Sequence, residues 1–122
     1  MTSKELELRL KNLAFKIVRL SDSFSKHQAS SILQKQIIRS SFSAAANYRA
    51  ATKAISKRAF VSKLSISFEE SDETLFWLEC IFELRLADSI LVEILIKEAK
   101  EVSSILAASR KTAQAKLSNP QS

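Results

Sequence analysis

The sequence predicts an all-α fold, an up-down-up-down four-helix bundle. Three observations carry that expectation. The chain has no glycine in 122 residues and a single proline, Pro120, whereas tight β-hairpins need Gly or Asn where φ turns positive. Apolar residues recur at steps of three and four through four long stretches, the periodicity of a buried helix stripe. Roughly two to five residues separate these stretches, and connections that short make antiparallel neighbours.

The first helix is expected from about Ser3 to Leu20, with Leu6, Leu10, Leu13, Ile17, Leu20 and Phe24 along its stripe. A near-3.5 repeat of this kind faces a partner helix. Ala14 and Val18 widen the stripe, and Ser21-Asp22-Ser23 supplies a turn without glycine. Ser25 and Gln28 fit a capping box, with Phe24 and Ala29 as a staple, so a second helix is expected from near Lys26 to about Lys53. Ile32, Leu33, Ile37 and Ile38 form its apolar front. Residues 40–46 are then almost all Ser and Ala, small enough for two helix backbones to approach closely. Ser56 suits the N-cap of a third helix, from about Lys57 to Arg85. Its inner face reads Val61, Leu64, Phe68, Ser71, Leu75, Leu78 and Phe82. Asp88 or Ser89 caps a fourth helix reaching about Ala115, with Leu91, Leu95, Glu98, Val102, Ile105 and Ser109 inward. A single domain is therefore expected over residues 1–117, with 118–122 as a disordered tail.

Composition sets limits on function. Hydrophobic residues are 46% and charged residues 26%, a globular rather than a disordered balance. The net charge of +6 is unevenly spread. Residues 1–66 carry 13 Lys/Arg against Glu5, Glu7 and Asp22, a net of +10, while residues 67–122 carry 6 Lys/Arg against 10 acids, a net of −4. A basic face of this kind can meet an acidic polymer, can pair with the acidic half of another copy, or can simply be solvated. The lone Cys80 allows no internal disulfide, which fits a reducing compartment. The N-terminus is charged throughout, and the longest apolar run, Ile90 to Ile96, is broken by Glu93. Neither a leader peptide nor a membrane span is expected, so the expected location is the cytoplasm.

The absence of glycine excludes Gly-rich phosphate loops and dinucleotide fingerprints. Glu70 with Glu73, and Glu98 with Glu101, have the i, i+3 spacing found in bundle metal sites, but such sites also use histidine. The single histidine, His27, sits at a helix start without a carboxylate partner. Cys80 lies between Trp77 and Phe82 on an apolar helix, with no histidine to activate it. No catalytic, cofactor or metal site assembles, and a non-enzymatic protein is expected.

Charge points elsewhere. Arg39, Arg49, Lys53, Lys57, Arg58 and Lys63 cluster around the connection between the second and third helices. Phosphate contacts need cations on a common surface and are helped by helix N-termini, so these six are the candidate RNA or DNA contacts. Tyr48 and Phe60 offer rings for stacking, although Phe60 fits the core better. No helix-turn-helix, zinc-finger or RNA-recognition signature is present, which leaves recognition by shape and charge. Asn47, Glu70, Glu73 and Trp77 are expected to form a buried or interface polar network, with Arg39 within reach. The alternative to nucleic-acid binding is a structural module that docks another protein.

The stretch from Gln36 to Leu78 also carries a resemblance. Gln36, Arg39, Ser40 and Ser43 are followed by Asn47-Tyr48, Ala51, Ala54 and Ser56, then by Phe60, Lys63-Leu64, Ile66, Glu70, Glu73-Thr74 and Trp77-Leu78. In this order they resemble the four helix bundle proteins, also known as the 23S rRNA intervening-sequence proteins of bacteria. The sequence departs at Ala50, where the family usually has Glu, at Ala59, where an acid is frequent, and at Glu69, where Lys is common. The resemblance implies a left-turning four-helix bundle and a ring-shaped homo-oligomer, a pentamer. It extends distantly to the accessory protein of diversity-generating retroelements, a basic bundle that binds nucleic acid and a reverse transcriptase.

Overall fold

In a computed structural model the described residues, 1–118, fold as four α-helices: α1 (Ser3–Ser21), α2 (Ser30–Thr52), α3 (Lys57–Glu83) and α4 (Ser89–Ser118). Among these residues there is no strand. The helices run antiparallel in sequence order, and α1 closes the bundle against α4. α2 and α3 share the most extensive interface, α1 and α4 the smallest. Of the expected tail, Ser118 is helical and residues 119–122 lie outside the described residues.

α1 is the simplest case. Leu6, Leu10, Leu13, Ile17 and Leu20 are all buried, as their spacing predicts. Its start is fixed by a capping box between Thr2 and Glu5. Thr2 Oγ1 accepts the Glu5 N–H at 3.1 Å, and the Glu5 carboxylate accepts the Thr2 N–H at 3.2 Å.

The second capping box, expected at Ser25 and Gln28, does not form. The Ser25 N–H is taken by the Leu86 carbonyl at 2.8 Å, which ties the α1–α2 connection to the α3–α4 connection. α2 therefore starts at Ser30 rather than near Lys26. His27 Nδ1 accepts the Ala29 N–H at 3.0 Å, and the Ser30 hydroxyl donates to the Ser25 carbonyl at 2.7 Å. The expected cap at Ser56 is present, its hydroxyl accepting the Ala59 N–H at 3.1 Å. Asp88 takes the N–H groups of Ile90 and Leu91 and caps α4.

α3 turns a different face inward from the one expected. Val61, Leu64, Ser71 and Leu78 are buried, but Ser67, Thr74 and Ile81 complete the stripe. Phe68, Leu75 and Phe82 are only half-buried flanks. The cause is the small face of α2, where Ser40, Ser41, Ala44 and Ala51 are buried. It lets α3 approach closely enough for the Ser67 hydroxyl to donate to the Ala44 carbonyl at 2.8 Å. Thr74 Oγ1 lies 2.8 Å from Ser40 Oγ in the same seam. On the other side, Ser71 and Ser103 hydroxyls meet at 2.7 Å between α3 and α4. α4 is rotated by about one residue from expectation: Val92, Ala99 and Leu106 are buried, not Leu91, Glu98 and Ile105. Glu98 is drawn aside by Arg9 of α1.

Between these seams lies one apolar core. Ile17, Ile37, Leu64, Leu78, Ile81, Val92 and Leu106 are fully buried, each worth about 1.5–3 kcal/mol of transfer free energy. α3 ends in a Schellman motif. The Leu86 N–H bonds the Ile81 carbonyl and the Arg85 N–H bonds the Phe82 carbonyl, both at 3.1 Å. The motif's left-handed position, usually glycine, is held by Arg85 at φ 54°. Leu86, 1% exposed, drops into the core beyond it.

Candidate nucleic-acid interface

The end of the bundle holding the α2–α3 connection also holds the start of α1 and the end of α4. There the four helices splay around an open groove. Its walls are Ala51, Phe60 and Val61 on one side and Ala108, Thr112 and Ala113 of α4 on the other. Lys57 and Lys116 stand at its rim, 59 residues apart in sequence, and Ile55, 100% exposed, forms its lip. Only the long-range fold brings Lys116 here, and no local signal in the sequence places it beside Lys57.

The six cations expected to act together divide into three groups. Lys53, Lys57 and Arg58 are exposed around the connection and make no ion pair among the described residues. Lys57 and Arg58 occupy the first turn of α3, where no acid balances them and the helix dipole adds partial positive charge. Lys63 is exposed a turn further along α3. Arg49 points toward α1, its Nε 3.9 Å from the Glu7 carboxylate. Arg39 is remote from the connection. It lies 14 residues before Lys53 on the same helix, about 21 Å at the α-helical rise.

Arg39 is instead committed to α3. Its Nη1 lies 3.1–3.2 Å from both oxygens of Glu70, and its Nη2 donates to Glu73. This cluster straddles α2 and α3 at the surface, with Arg39 48% exposed, so solvent screens it. Asn47 is not part of it: its side-chain amide donates to the Ser43 carbonyl and hydroxyl within α2, at 2.9 and 3.1 Å. Trp77 meets Phe76 edge-on, with ring centroids 5.0 Å apart, and its buried Nε1 has no acceptor. The four residues expected as one network are thus an ion cluster at Glu70 and Glu73, a bond back to the preceding turn of α2 at Asn47, and a ring contact at Trp77.

The strongest ion cluster was not anticipated. Arg9 of α1 donates to both oxygens of Glu98, at 3.0 and 2.5 Å, and to Glu101 at 3.3 Å. These bonds, above all the one to Glu98, hold the Arg9 guanidinium protonated beyond even its ordinary range. The pair at Glu98 and Glu101 thus clamps the sparsely packed α1–α4 seam. Its i, i+3 spacing was the legible signal, and the cation was the missing partner. Among the described residues no three His, Cys, Asp or Glu side chains gather as a metal site. Burial, reinforced by the nearby Glu79 charge, pushes the Cys80 thiol above its ordinary pKa, which keeps it neutral and a poor nucleophile. No helix among the described residues is long and apolar enough to cross a membrane.

Comparison with known proteins bears on the whole bundle. No curated protein matches the chain. A solved structure does: a protein of unknown function from the S23 ribosomal protein family of Bacteroides thetaiotaomicron VPI-5482. It is 29% identical, with a TM-score of 0.81 over 91% of this chain and 99% of that one. The family model described as 23S rRNA-intervening sequence protein matches residues 8–108, which takes in part of α1, all of α2 and α3, and two-thirds of α4. With the four-helix bundle and a family match over most of its length, the chain belongs to the 23S rRNA-intervening sequence protein family.

Proposed function

We propose that this protein is a non-enzymatic, cytoplasmic nucleic-acid-binding protein that holds RNA or DNA by its phosphates at the α2–α3 end of the bundle. One observation carries the reading. From Ser23 to Phe68 there is no Asp or Glu, and within that stretch Lys53, Lys57 and Arg58 are exposed together without acidic partners. α4 adds to the same end, since it has no acid after Glu101 and carries Arg110, Lys111 and Lys116 in its last three turns. Phosphate binding needs no base-reading element, only cations held on a rigid frame.

The test is the salt dependence of binding by fluorescence anisotropy, with labelled single-stranded and duplex RNA and DNA. Each phosphate neutralised contributes about −0.7 to −0.9 to the slope of log K against log salt. Replacing both Lys57 and Arg58 by Glu is expected to flatten the slope by about 1.4–1.8 and to abolish binding at moderate salt. Unchanged affinity in that variant, or binding indifferent to salt, would overturn the reading.

A second reading is favoured by Ile55. A fully exposed aliphatic side chain beside an apolar groove does nothing for phosphate, but it suits an adaptor that docks another protein. Here Ile55→Ser removes the partner from a nuclease-treated pull-down, while Lys57→Glu with Arg58→Glu has the smaller effect.

A further inference from the structure

Cations at the rim of the α2–α3 groove do not account for what lies between them, an open and mainly apolar space of about 870 Å³. Clefts that hold small ligands measure about 300–1,000 Å³. The two walls differ in kind. α3 supplies a ring, Phe60, half-buried against the core. α4 faces it with Ala108, Thr112 and Ala113, none of which fills the space with a large side chain. A ring opposite a wall of small residues leaves room for a flat partner. Tyr48 offers no such platform, because it is 6% exposed and its hydroxyl lies 3.1 Å from Ser3 Oγ.

The polar groups narrow the chemistry of that partner. The hydroxyls of Ser109 and Thr112, one turn apart on α4, line the groove and have no hydrogen-bond partner among the described residues. A hydroxyl both donates and accepts, so the pair suits the mixed edge of a heteroaromatic ring. A purely aliphatic ligand would leave both unmet. Lys57 stands exposed at the rim, without an ion pair among the described residues, in the first turn of α3 where the helix dipole adds positive charge. Ring, hydroxyls and cation together complement a planar base joined to a phosphate.

From this combination we infer that the groove takes one unpaired nucleotide, its base stacked between Phe60 and the small residues of α4 and its phosphate at Lys57. This nucleotide site rests on the phosphate binding proposed above for the same end of the bundle, and it adds a choice of substrate. A base inside a duplex is paired and stacked on its neighbours and cannot enter, whereas a base in a single strand, a loop or a frayed end can. Stacking on a ring tolerates every base, and hydroxyls donate or accept as needed, so the site selects unpaired structure without a sequence code. An inserted base also gives Ile55, fully exposed at the lip, the apolar cover that phosphate does not.

Fluorescence anisotropy with the full chain at fixed salt provides the test, using two pairs of labelled probes made in RNA and in DNA. One pair is a single strand and the same strand with every base removed. The other is a duplex with an unpaired overhang and the same duplex with the overhang abasic. Members of a pair carry the same phosphates, so a difference in affinity reports the bases. In at least one of the two sugars the intact probe is expected to bind about 5- to 150-fold more tightly than its abasic partner. Phe60→Leu keeps apolar bulk but removes the flat face, and should bring that ratio close to one without changing the affinity for the abasic probes. Ala108→Leu with Thr112→Leu fills the groove from two exposed positions and should do the same. Lys57→Glu with Arg58→Glu should weaken all four probes. Circular dichroism checks that each variant folds. Equal, salt-sensitive affinity for intact and abasic probes overturns the nucleotide site and leaves phosphate binding standing; no binding to any probe overturns both. A base preference that survives filling of the groove overturns the site, as does a Phe60→Leu variant that weakens intact and abasic probes alike.

Discussion

Replacing Arg85 by Gly should stabilise this protein, although the substitution introduces the chain's first glycine. Arg85 holds φ 54° at the left-handed position of the Schellman motif that ends α3. A Cβ there crowds the following carbonyl, at a cost of about 1–2 kcal/mol. Glycine removes that cost but gives back about 0.5–1 kcal/mol through its greater freedom in the unfolded chain. The net expectation is a gain of about 0.5–1 kcal/mol, or a rise in Tm of roughly 2–6 °C for a chain of this size. The Arg85 side chain is exposed, so Arg85→Ala removes charge and length while keeping the Cβ. Thermal melts of the three proteins, followed by circular dichroism, separate the effects. Arg85→Gly should melt above both wild type and Arg85→Ala, which should lie close together. If Arg85→Gly melts at or below Arg85→Ala, relief of the left-handed backbone is not the controlling term and the argument fails.

Other consequences are testable with the same melts and with thiol chemistry. Ser71→Ala or Ser103→Ala alone strands a buried hydroxyl and should cost about 1–2 kcal/mol, whereas the double variant costs less than the sum; additive losses would show that the 2.7 Å contact carries no coupling. Leu78→Ala, at a core position of α3 with 0% exposure, should cost about 2–5 kcal/mol in urea unfolding, and a cost under about 1 kcal/mol would mean the core is not closed there. Cys80 should react with iodoacetamide more slowly than a free thiol at neutral pH. Its pKa is raised in the fold, so the stability it contributes is present below the ordinary thiol range and lost as pH climbs through its raised value. Cys80→Ala should flatten that alkaline loss.

How much could be read in advance depended on how many partners each helix has. α1 has one buried stripe and packs through it, so Leu6 through Leu20 follow directly from their spacing. α3 is gripped on two sides, and periodicity alone favoured the larger Phe68, Leu75 and Phe82 over Ser67 and Thr74. The small residues won because the Ser/Ala face of α2 admits a close backbone approach and supplies hydroxyl partners. The missing box at Ser25 has a similar origin: a residue 61 positions away, Leu86, competes for its N–H. In the candidate site, Lys53, Lys57 and Arg58 were legible because they are neighbours in sequence. Lys116 was not, since only the return of α4 brings it to the groove. Arg39 was expected both among the phosphate contacts and within reach of Glu70 and Glu73, and the fold gives it to those two acids. The absence of glycine did predict a helical chain, but it did not prevent a left-handed residue; a Schellman stop was worth more than the strain at Arg85.

The hydrogen bond from Ser25 to Leu86 divides the molecule into a stitched end and a loose end. At the stitched end two connections are sewn to each other by backbone. At the other end a single connection faces the first turn of α1 and the last turns of α4, whose residues from Gln114 onward are all exposed. Amide exchange should therefore be graded along the bundle axis, slowest near Ile81 and Leu86 and fastest beyond Thr112. The candidate ligand surface lies wholly in the fast half. Occupancy of the groove would then register as slowed exchange over the last turns of α4, a readout available before any partner has been identified.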